Sequence, residues 1–64
     1  MDTTTTLYAQ IDAYITRTEA AVTAAKLRLA DAVLEGDDPK CSFICRELAE
    51  MFDTLAALHR ILAS

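Results

Sequence analysis

The sequence predicts an all-α fold, an antiparallel two-helix hairpin, on three observations. Of the 64 residues 53% are hydrophobic and twelve are alanine, with only one glycine and one proline to break a helix. The apolar residues recur at helical spacing along two long stretches. A single segment, LEGDDPK at residues 34–40, carries the punctuation of a chain reversal.

The first helix is placed at about residues 6–35. Thr3 to Thr6 are poor helix-interior residues whose hydroxyls suit a cap. At about 100° per residue, Leu7, Tyr8, Ile11, Tyr14, Ile15, Thr18, Val22, Ala25, Leu29, Ala32 and Val33 gather on one face. That face is expected to be the seam. On the opposite side Ala13, Ala20, Leu27 and Leu34 recur every seven residues, a second row that a lone hairpin leaves in water.

The turn spans residues 36–38. Gly36 can adopt the left-handed conformation that closes a helix, Asp37 or Asp38 can cap the next, and Pro39 suits a first helical position. So short a connection makes its flanking helices antiparallel neighbours.

The second helix is placed at about residues 39–62. Cys45, Phe52 and His59 fall seven apart, Cys41, Leu48, Leu55 and Leu62 form a companion row, and Ile44, Met51 and Leu58 widen the stripe. The expected core therefore includes Ile11, Tyr14, Val22 and Leu29 from the first helix. From the second it includes Cys41, Cys45, Leu48, Phe52, Leu55, His59 and Leu62. A stripe this wide exceeds what one partner helix covers, so the single domain, residues 1–64, is expected to be completed to a bundle by dimerisation or by another chain. Ala13, Ala20, Leu27, Leu34, Phe43 and Ile61 are the candidate partner-binding residues.

Composition narrows the function. A domain of this length buries only about 60% of its unfolded surface and commonly needs reinforcement. Two cysteines do not make a disulfide framework. The chain opens MDTTTT, with neither a secretory leader nor a membrane-spanning run, which predicts a soluble, cytoplasmic protein with reduced thiols. Net charge is -4, and the six cationic residues are scattered, which speaks against nucleic acid and against a membrane surface.

Chemistry has little to work with. In CSFIC, residues 41–45, both cysteines fall in phase with leucines and read as packing. A zinc site wants four ligands, and His59 lies about 27 Å along the helix from Cys41. A reactive thiolate needs a base or cation, and only Lys40 and Arg46 are near in sequence. His59 needs a hydrogen-bond partner, which Tyr8 or Tyr14 at the same end can supply. One histidine assembles no catalytic triad, and one glycine makes no phosphate loop. No enzyme activity, cofactor or metal is expected.

The long helix, the Gly-acidic-Pro turn in LEGDDPK and the apolar rhythm of CRELAEMFDTLAALHRIL resemble the small E-type co-chaperones of type III secretion needle subunits. The likeness rests on Gly36 ending the first helix and on Leu48, Phe52, Leu55, His59 and Leu62 on the buried side of the second. It departs from that family at Cys41, Cys45 and His59. The resemblance implies a helical hairpin that binds a helical-repeat co-chaperone and helps hold the needle subunit in the cytoplasm before export. The alternative is a homodimeric four-helix bundle like the plasmid copy-number regulator that binds paired RNA loops, although the basic stripe that role needs along the first helix is missing. A redox or metal enzyme would rest on CSFIC and His59 alone.

Overall fold

A computed structural model describes residues 3–64 and shows two helices, α1 (Thr3–Glu35) and α2 (Asp38–Ala63), folded back on each other as an all-α hairpin. The molecule is a rod of 52 × 16 × 12 Å.

α1 runs unbroken because no glycine or proline interrupts residues 3–35. It already includes Thr3, Thr4 and Thr5, three residues ahead of the expected start. Each threonine costs well under about 1 kcal/mol against alanine, too little to end a helix that packing sustains further along. A cap ahead of Thr3 would fall on residues 1 and 2, outside the described residues.

The reversal follows from two hydrogen bonds and one dihedral. Gly36 sits at φ 70°, the Gly36 amide donates to the Val33 carbonyl at 3.1 Å, and the Asp37 amide donates to the Ala32 carbonyl at 3.0 Å. This is the Schellman closure, in which the last carbonyls of α1 are satisfied by the residues that leave it. Asp37 then starts α2. Its Oδ1 accepts the Lys40 amide at 3.1 Å, and its carbonyl accepts the Cys41 amide at 3.0 Å. Pro39 occupies the first turn, where its missing N–H is not needed. Asp38 faces the positive end of the helix dipole there, and Arg60 sits in the last turn. The Ser64 hydroxyl closes α2 onto the Ile61 carbonyl at 2.9 Å.

The core is small and lies in the half nearer the turn. Val22, Ala25 and Ala32 of α1 meet Ile44 and Leu48 of α2, with Leu29, Cys41, Met51 and Leu55 packed around them. Ala25 and Ala32 present no bulk, so the helices approach closely, and Ile44, 1% exposed, fills the space between them. Toward the open end Ile15 is buried and Ile11, Thr18, Leu58 and Leu62 are half-buried. The Thr18 hydroxyl donates to the Tyr14 carbonyl at 2.8 Å, so the seam carries no stranded hydroxyl there.

Several residues expected on the seam face or in the core are exposed. Leu7 and Tyr8 extend past the end of α2: α1 has 33 residues and α2 has 26, a difference of about 10 Å of helix. Tyr14 and Val33 lie at the two edges of the α1 seam and are open to solvent. Cys45, Phe52 and His59 are exposed too. α2 turns the Leu48, Leu55 and Leu62 row and the Ile44, Met51 and Leu58 row toward α1. That leaves the third row beside the contact, because a single facing helix covers only part of so wide a stripe.

Candidate partner-binding surface

Among the described residues, three surfaces remain uncovered. On the back of α1, pointing away from α2, the row of Ala13, Ala20, Leu27 and Leu34 is exposed, Leu27 by 66% and Leu34 by 86%. Ala9, Thr16, Thr23 and Ala30 alternate with it at spacings of four and three, so eight positions over residues 9–34 form a heptad seam without a charge. Its two polar members are satisfied within the helix. The Thr16 hydroxyl donates to the Asp12 carbonyl at 3.1 Å and that of Thr23 to the Glu19 carbonyl at 3.3 Å.

The second surface is the free edge of α2. Cys45, Phe52 and His59 alternate with Ala49, Ala56 and Ala63 at the same spacing, and Val33 and Tyr8 lie on the adjoining side of α1. Phe52 is 48% exposed at the middle of this row. The imidazole of His59 reaches water and needs none of the partners expected from Tyr8 and Tyr14. Tyr14 in fact lies on the other side of the hairpin, under the Arg17 guanidinium at 5.6 Å from its ring centre.

That other side holds the third surface, an open groove of about 430 Å³ lined by Tyr14, Arg17, Thr18, Ala21, Glu47, Glu50, Met51 and Thr54. Arg28 spans it near the turn, its guanidinium 3.4 Å from a Glu47 carboxylate oxygen. This pair links the two helices, whereas spacing alone suggests Arg28 with Asp31. Phe43 and Ile61, eighteen residues apart on α2 and pointing the same way, flank the groove near the two ends of the rod, both exposed. All six candidate partner-binding residues are thus accessible on the isolated hairpin, but the structure does not gather them: Ala13, Ala20, Leu27 and Leu34 share the back of α1, while Phe43 and Ile61 belong to the groove side.

The two cysteines are free thiols in different settings, Cys41 half-buried in the seam and Cys45 exposed. Burial pushes the Cys41 thiol up, and Asp38, Cys45 and Asp37 push it the same way against a hydrogen bond to its own backbone. A thiol raised in this manner is protonated at neutral pH and is a poor nucleophile. Among the described residues, no three His, Cys, Asp or Glu side chains gather where they could hold a metal ion, and no helix is long and apolar enough to cross a membrane. Arg17 and Arg28 lie on the groove side beside Glu47 and Glu50, while Lys26 projects on the other.

No protein-family model, curated protein or solved structure matches the chain.

The free edge of α2 was hidden in sequence because its residues share the stripe that packs on α1. The signal that separates it is the alanine set Ala49, Ala56 and Ala63, which extends the apolar stripe beyond what one neighbour can reach.

Proposed function

We propose that this hairpin is a non-enzymatic protein-binding module, completed by a helical polypeptide laid along its uncovered apolar surface. In line with the family it resembles, its role is that of a cytoplasmic co-chaperone which, together with a helical-repeat chaperone, keeps a type III secretion needle subunit from assembling early.

The observation that carries this reading is the exposure of the Cys45, Phe52 and His59 row on α2, with Phe52 at its centre. An aromatic side chain at mid-row, flanked by alanines that let a second backbone approach, is the composition of a helix-docking face. The charges beside it favour a foreign helix over a copy of itself. Arg46, Asp53 and Arg60 run along its outer edge; in a centred antiparallel pairing Asp53 would oppose its own counterpart and Arg46 would oppose Arg60. A partner helix with alternating charge of the opposite order meets no such conflict.

Co-expression with a needle subunit and a helical-repeat chaperone encoded beside this chain tests the reading. The expected result is a stable complex that Phe52→Asp dissolves while the hairpin stays helical by circular dichroism. Recovery of the complex at unchanged affinity with Phe52→Asp, or no complex with either protein, would refute it.

A further inference from the structure

We infer that the back of α1 is a self-association seam, and that a second copy of this chain packs antiparallel along it. The inference does not rest on the co-chaperone reading, which concerns the free edge of α2.

The eight uncharged positions Ala9, Ala13, Thr16, Ala20, Thr23, Leu27, Ala30 and Leu34 keep heptad spacing for most of the length of α1 on the side opposite α2. Covering them removes two large, open leucines from water. It strands no hydroxyl, because those of Thr16 and Thr23 bond to carbonyls of their own helix.

Size matching and charge select the occupant and its direction. With the two-fold axis between Ala20 and Thr23, Leu34 opposes Ala9 of the second copy, Leu27 opposes Thr16, Ala13 opposes Ala30 and Ala20 opposes Thr23. Each layer holding a leucine thus pairs it with a smaller residue, and the spacing between the helices stays even. On one flank of the seam stand Asp12, Glu19, Lys26 and Val33; on the other stand Gln10, Arg17, Ala24 and Asp31. The same register sets Glu19 against Lys26 of the second copy, and the symmetry repeats the pair. Asp12 meets Val33, Arg17 meets Ala24 and Gln10 meets Asp31, so no like charges oppose each other.

A parallel copy would also find opposite charges, Asp12 with Arg17 and Lys26 with Asp31. It would, however, place side by side the two turn ends, where Glu35, Asp37 and Asp38 outnumber the one cation Lys40. It would also stack leucine on leucine at one end and alanine on alanine at the other. The antiparallel arrangement holds the acidic ends at opposite ends of the dimer.

Sedimentation of the full chain over a concentration series, at low salt, tests the seam with charge variants that touch only exposed positions. The native chain is expected to show a reversible monomer–dimer equilibrium. Glu19→Lys is expected to weaken it about tenfold, since two attractive pairs become repulsive, and Lys26→Glu to do the same. The double exchange Glu19→Lys with Lys26→Glu is expected to restore it, with helicity unchanged throughout. Three results would each overturn the proposal: a monomer at every concentration, a dimer that Glu19→Lys leaves intact, or a double exchange that fails to recover association. The second would be the signature of a parallel seam or of another face.

Discussion

Gly36 reverses the chain through its backbone alone. A Cβ placed on it would meet nothing within 4 Å, so a substitution there is opposed by the positive φ and not by crowding. Gly36→Ala is therefore expected to destabilise the hairpin by about 1 kcal/mol, read as a lower midpoint in urea at unchanged slope. Ile44→Ala should cost more, about 2–5 kcal/mol, because it opens a cavity in the core that Ile44 fills. Phe52→Ala should cost little by comparison, its ring being half in solvent. Equal losses from these last two would mean that Phe52 belongs to the core after all. The thiol of Cys41 yields a pH test. Because its pKa is raised in the fold, the folded chain holds that proton where the unfolded chain has begun to lose it. The associated stability is complete below the ordinary thiol range and declines as pH rises through it. In a Cys45→Ala background, alkylation of Cys41 should accelerate at higher pH in the folded chain than in the same chain in urea; coincident profiles would contradict this.

At the scale of the helices, much was legible before the structure, for reasons that differ between elements. The turn could be read because Gly36, Asp37 and Pro39 each have one favourable place in a helix–turn–helix, and the three places are consecutive. The start of α1 could not be read from Thr3 to Thr6, since a penalty of tenths of a kcal/mol per residue loses to the cooperativity of a helix already formed. The α2 stripe shows a third case. Its periodicity states how wide the apolar face is but not which edge a single neighbour covers, so Cys45, Phe52 and His59 could not be told from Leu48, Leu55 and Leu62. Leu7 and Tyr8 were misplaced for a matter of length, as α1 outruns α2 at the open end. The back of α1 carries its own prediction: Leu27→Glu with Leu34→Glu should abolish self-association while far-UV circular dichroism still reports a helical hairpin. Unchanged mass in that variant would show that the leucines are idle.

For the whole molecule, the decisive fact is how little of an apolar chain the hairpin encloses. A composition of 53% hydrophobic residues supports, among the described residues, a core of six buried hydrophobic side chains. Leu27, Leu34, Phe43, Phe52 and Ile61 are spread over three sides of a rod only two helices thick. The ion pairs across the helices and the turn, Arg28 with Glu47 at 3.4 Å and Glu35 with Lys40 at 3.9 Å, are partly or fully open to solvent and add little. In the reading proposed here, the stability that a small core does not supply comes from association, and any state that binds another chain gains stability with concentration. The most direct measurement is the thermal unfolding midpoint of the purified chain as a function of its own concentration. The midpoint is expected to climb as the chain is concentrated and to climb further when a helical partner is added. A sharp transition of a monomer, at one temperature whatever the concentration and whatever the partner, would contradict it.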